Sequence, residues 1–174
     1  FGTTWTAENC RYPVRKTQEN GDDRTKPANI IITCTDNTRS RLELWRFLKK
    51  YRETSVNNER AVYYWMDFGN AQTTGQVFIG TVRNKIRQPA SKEFMPVPGM
   101  NVITEEVNYS TIEEKDSGPS CSLAEALERQ DLYINSILAQ VGCDILWRMF
   151  KEGRTLYRGA YINLDTLRVN PIPV

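Results

Sequence analysis

Apolar positions along this chain change period several times, and each change predicts an element. Ile30-Ile31-Ile32 is a near-continuous apolar run of the kind found in a parallel sheet covered on both faces. The run stops at Asp36-Asn37, and from Thr38 the spacing becomes helical. Leu42, Trp45 and Leu48 alternate with Arg41, Arg46 and Lys49, which predicts a helix with one apolar and one basic face to about Arg52. A polar turn over 54–60 precedes a second buried strand over 61–68, ended by Gly69-Asn70. A further strand over 75–82 follows a short loop containing Gly, Asn and Thr, giving a hairpin or sharp corner.

Residues 83–120 lack strong periodicity and carry prolines, glycines and acidic pairs. So long an irregular crossing is either a mobile functional loop or a packed passive one. Ser122-Leu123-Ala124-Glu125 has capping-box spacing and predicts a helix start at Leu123. A second helix opens at Asp131 and ends at Gly153 as a C′ residue. Leu132, Ile134, Ile137, Leu138, Val141, Ile145, Leu146, Met149 and Phe150 make it apolar over more than half its circumference, the pattern of a core helix. The tail reads as two strands joined by a turn at 164–166. Before Ala28, weak strand signals around Cys10 to Val14 lead into a polar, charged tract at 18–27 that reads as an exposed loop.

Composition narrows the class. The 174 residues suit one ordinary domain or a large piece of one, with the apolar and charged fractions of a soluble globular protein. A net charge of +2 is too small to argue for nucleic acid, and no apolar run approaches the roughly 20 residues that span a bilayer. The four cysteines include no CxxC pair and there is no histidine, which disfavours a structural zinc site and excludes a serine-histidine-aspartate triad within the chain. A reducing cytoplasm is the default expectation. The abrupt start at Phe1, without a methionine or a charged lead-in, predicts further chain upstream.

Asp36 is the first candidate for chemistry. A carboxylate at the carboxyl end of a strand can hold Mg²⁺ against a triphosphate, because hard oxygens suit that ion; the same residue type is also a favoured helix cap. Arg41 lies within reach of the first helical turn, where it can contact a phosphate or pair on the surface. Cys121 stands just before a predicted helix start, where the dipole favours a nucleophilic thiolate, against the alternative of a small buried side chain. Cys34 and Cys143 lie within apolar runs and read as structural. Gly69, Asn70, Gly75 and Gln76 either let backbone approach a ligand or simply turn the chain.

Taken in order, the strand ending Thr35-Asp36-Asn37-Thr38-Arg39-Ser40-Arg41, the Gly69-Asn70 and Gly75-Gln76-Val77 segments, the long crossing and the apolar helix resemble the ThiF/MoeB/HesA family of ubiquitin-activating-like adenylyltransferases. Residues 64–70, 74–81, 120–135 and 168–174 are similar to the ThiF-family branch of the PRTRC system, a cassette found with bacterial mobile elements. The resemblance implies an α/β, Rossmann-like fold, with a mainly parallel sheet and antiparallel strands at the carboxyl end. It also implies ATP and Mg as cofactors, a ubiquitin-like or sulfur-carrier-like protein as partner, and a possible homodimer. Asp36 then matches the aspartate that faces magnesium and the triphosphate, Asn37 its neighbour, and Arg41 the arginine of the DNxxxR pattern. Cys121 falls where relatives carry zinc-binding or catalytic cysteines and becomes a candidate acyl acceptor.

Two departures shape the expectation. The family's paired CxxC ligands are absent, and its glycine-rich phosphate loop, with the arginine and lysine that grip ATP, belongs upstream of Phe1. The chain is therefore expected to be the C-terminal portion of one such domain, inactive alone. The rival expectation is a non-catalytic interaction or scaffold protein on an activating-enzyme-like fold. A dinucleotide-binding oxidoreductase fragment fits poorly, because no glycine fingerprint with a ribose-binding carboxylate is present.

Overall fold

A computed structural model describes residues 28–35, 37–52, 61–83, 86, 88, 90–93, 99–109 and 131–174. The isoleucine run forms β1 (Ile30–Thr33), and the helical spacing that follows forms α1 (Thr38–Leu48), extended by a 3₁₀ turn over Lys49–Tyr51. The second apolar run is β2 (Tyr64–Asn70) and the third is β3 (Thr74–Thr81). A one-turn helix, α2 (Ile103–Glu106), lies in the crossing. The long apolar segment becomes α3 (Ile134–Glu152), and the tail folds as β4 (Tyr157–Asn163) and β5 (Arg168–Pro173).

These five strands form one sheet in the order β1-β2-β3-β4-β5. Only β1 and β2 run parallel, with Ile31 beside Trp65 and Thr33 beside Asp67; the other three pairs are antiparallel. The fold is thus mixed α/β with a mixed sheet; the expected mainly parallel arrangement is not found among the described strands, because three of the four pairs are antiparallel. Alternation explains the two faces, since successive side chains in a strand point opposite ways. Trp65 and Phe78 turn one way and pack with Leu44, Trp45 and Leu48 of α1 and with Val102, Ile103 and Tyr109. Met66, Val77 and Ile79 turn the other way and pack against Ile145 of α3, while Ile134 and Leu138 meet Ile162.

α3 departs from a core helix. Ile134, Leu138, Gly142 and Ile145 are buried, whereas Trp147 and Phe150 stand exposed, so a single face carries the packing. It stops as its sequence predicts: Gly153 takes the left-handed conformation at φ 68° and its N–H donates to the Met149 carbonyl. Gly142 is required for a different reason, because a Cβ there would lie 2.3 Å from Phe68 Cζ. Gly142→Val is expected to cost about 1–3 kcal/mol through overpacking, read as a lower urea midpoint at unchanged slope. An unchanged midpoint would show that α3 does not sit this close to β2.

The predicted strand boundaries shift in one place. Gly69-Asn70 does not end β2: Gly69 pairs with Gln76 and Asn70 with Gly75, so these residues belong to the ladder. In the crossing, residues 99–109 are packed. Thr81 Oγ1 accepts from Met100 N–H, the Thr81 N–H donates to the Met100 carbonyl, and Val102 and Ile103 are buried. Arg158 then ties this segment to β4 by donating to Glu106 at 2.8 Å while lying over the Phe78 ring. The predicted helix start at Leu123 lies outside the described residues, as does everything before Ala28. No described helix is long and apolar enough to cross a membrane.

Candidate functional site

β1 hands over to α1 in four residues, and the handover fixes the geometry of the sheet's carboxyl end. Asn37 is the N-cap: it has extended backbone and its Oδ1 accepts from the Ser40 N–H at 2.8 Å. The first turn of α1 holds no acidic residue. Asp36 itself lies outside the described residues, as do Cys121 and Cys10.

Arg41 sits one turn into α1 and points inward, not onto the basic face with Arg46 and Lys49. It is 6% exposed. Its Nε donates to Asp67 Oδ2 at 2.8 Å, and its Nη2 donates to the Thr35 carbonyl at 2.5 Å and to the Phe68 carbonyl at 2.9 Å. Tyr109 lies within cation–π range of the same guanidinium. The pairing is therefore interior. A sequence signal existed for it: Arg41 precedes Trp45 by four residues and Leu48 by seven, which places it on the apolar stripe.

Asp67 is the partner that the sequence reading did not single out. It is fully buried in β2, on the same face as Trp65. Its second oxygen accepts from Thr33 Oγ1 at 2.5 Å, and Thr33 Oγ1 in turn accepts from Trp65 Nε1 at 2.8 Å. The signal was the lone carboxylate inside an apolar run, since a buried charge needs a partner. Burial pushes the Asp67 carboxyl above its ordinary value, opposed by the Arg41 charge and by the hydrogen bonds from Thr33 and Arg41. A raised carboxyl makes the folded chain bind this proton more readily than the unfolded chain. Its contribution to stability is therefore full in acid and declines as pH rises through the raised value.

On the opposite face of the sheet, beside α3, a cleft of about 460 Å³ opens at the carboxyl ends of β1 and β2. Ile32, Cys34, Thr35, Phe68, Asn70 and Cys143 are among its lining residues. Cys34 and Cys143 are thus exposed cleft residues rather than buried structural ones, and both are free thiols. Burial by neighbouring atoms pushes the Cys34 thiol up, the Asp67 charge adds to this and Arg41 opposes it, so the thiol form is favoured at neutral pH. Thr35 Oγ1 is buried without a hydrogen-bond partner among the described residues, which leaves a polar atom unsatisfied beside the cleft.

The arrangement brings Asn37 and Arg41 to the end of β1 where ligands bind in open α/β sheets. Gly69 completes it from β2: a Cβ there would come within 3.0 Å of Arg41 Nη2. In comparison with known proteins, no family model matches the chain and no curated protein matches it significantly.

Proposed function

We propose that this chain is the C-terminal portion of a ThiF-like, Rossmann-like adenylyltransferase domain, which when intact adenylates the C-terminal carboxylate of a ubiquitin-like or sulfur-carrier-like protein. The observation that supports this reading is the cleft at the carboxyl ends of β1 and β2, lined by Thr35 two residues before the Asn37 cap that opens the DNxxxR helix α1. In the proposed reaction a carboxylate oxygen of the carrier attacks the α-phosphorus of ATP. The bond to the bridging oxygen breaks, and pyrophosphate leaves with the electron pair, giving an acyl-adenylate. Asp36 is the proposed magnesium-facing carboxylate, followed in the DNxxxR pattern by Asn37 and Arg41. Magnesium, when bound, supplies the charge neutralisation that triphosphate chemistry needs. The fit rests on the Thr35 hydroxyl, buried beside the cleft without a hydrogen-bond partner among the described residues and able to donate to an anionic group. Cys121 is a proposed acyl acceptor for a later step.

ATP–pyrophosphate exchange tests the reading. The intact protein should exchange only with Mg²⁺ and a ubiquitin-like carrier present, the 174-residue chain alone should not, and Asp36→Ala should lower the intact protein's rate by about a hundredfold or more. Exchange by the 174-residue chain alone would overturn the division of the site. The second reading, a non-catalytic interaction protein, draws on the exposed Leu132, Trp147 and Phe150 of the α3 segment. Absence of exchange in the intact protein selects it.

A further inference from the structure

We infer that Arg41 and Asp67 form a positioning clamp, which sets the mouth of the cleft from the face of the sheet opposite to it. Thr35 and Phe68 both line the cleft, one on the β1 lip and one on the β2 lip. Their carbonyls are the two acceptors of Arg41 Nη2, at 2.5 and 2.9 Å. A single nitrogen on the α1 face therefore bridges the two lips from behind. Asp67 holds the guanidinium in the orientation this requires, by accepting from Nε at 2.8 Å, and is itself oriented by Thr33 from β1.

Stability alone does not call for this chemistry, because well-packed apolar side chains of similar volume stabilise an interior as well as a buried ion pair does. Apolar side chains cannot grip two named carbonyls. The planar fork of arginine can, and lysine, a compact charge on a flexible stem, cannot span the same three acceptors. The clamp also explains the glycine at position 69, where a side chain would press on Nη2 and on Gln76 Nε2 at 3.1 Å. Arg41 and Asp67 act through the lips and touch no ligand. What the cleft holds rests on the adenylation reading; the clamp itself does not.

The test uses Arg41→Lys and Asp67→Asn in the 174-residue chain, with amide hydrogen exchange followed residue by residue. Ser40, whose N–H is bound by the Asn37 cap, and Gly69 report the lips; Met66 and Ile79 report the ladder. The expected result is that exchange at Ser40 and Gly69 rises about tenfold more than at Met66 and Ile79 in both variants. An equal rise at all four sites overturns the clamp, because it shows a loss of global stability only. A wild-type lip opening in Arg41→Lys also overturns it. In an intact protein that exchanges pyrophosphate, both variants should raise the KM for MgATP about tenfold with kcat within about threefold, the signature of weakened uniform binding. A lowered kcat at unchanged KM would mean fewer folded molecules and counts against positioning. If the intact wild type shows no exchange, the adenylation reading falls and the amide pattern still decides the clamp.

Discussion

Asp67→Ala is expected to lower the unfolding free energy by about 3–5 kcal/mol at neutral pH. The carboxylate is buried in β2, and its removal leaves the Arg41 guanidinium with a full charge, 6% exposed, facing two carbonyls and a ring but no anion among the described residues. Burial raises the Asp67 carboxyl, so the ionised aspartate is itself costly, and only the pair together offsets that cost. Urea unfolding followed by circular dichroism measures the effect. The discriminating control is the double variant Asp67→Ala/Arg41→Met, which removes both charges and should recover most of the loss. A single variant within about 1 kcal/mol of wild type would mean that water reaches the guanidinium and that the pair is not an interior one.

Trp65→Ala should cost a similar amount, about 3–5 kcal/mol. Trp65 is 1% exposed and stacks on Trp45 with ring centroids 6.2 Å apart, so truncation empties the contact between α1 and the sheet. The indole also carries a polar role. Its Nε1 donates to the Thr33 hydroxyl that donates onward to Asp67, so the chain of hydrogen bonds from the core to the ion pair begins at this residue. Trp65→Phe separates the two contributions: it keeps an aromatic ring, smaller than the indole, and removes the donor, and should cost only about 1 kcal/mol more than its volume change explains. Thermal unfolding of the two variants side by side measures the difference. Equal losses for Ala and Phe would place the whole effect in the hydrogen bond and none in the packing.

Much of the architecture could be read before any coordinates, because period and punctuation agree along this chain. Ile30 to Thr33, the helix from Thr38, the carboxyl-terminal hairpin and the stop at Gly153 all follow from local rules that act within a few residues. What escaped was set by partners distant in sequence. Arg41 looks basic and exposed until Asp67, 26 residues on, supplies its counter-charge. Val102 and Ile103 are too short a pair to show a period, and they are buried because β3 and α1 meet them. The apolar excess of α3, over more than half its circumference, suggested a core helix, yet Trp147 and Phe150 face outward, since a helix pattern records what is apolar and not what covers it. Gly69 and Gly75 read as turn residues because glycine does not distinguish a bend from a close approach. Here both belong to an antiparallel ladder, Gly69 opposite Gln76 and Gly75 opposite Asn70, with Leu138 at Gly75 and Arg41 at Gly69 occupying the space. The strand order, with three antiparallel pairs after one parallel pair, depends on how the crossings run and leaves no periodic trace.

Among the described strands, β5 lies at one edge of the sheet. Val174 N–H donates to the Leu156 carbonyl, so the even positions of β5 turn their amides toward β4 and the odd ones turn outward. Pro171 and Pro173 occupy outward positions and have no hydrogen to offer. An approaching strand would find two of its carbonyls without donors along this rim. Edge-to-edge aggregation is blunted there by covalent structure, independently of charge, salt or pH.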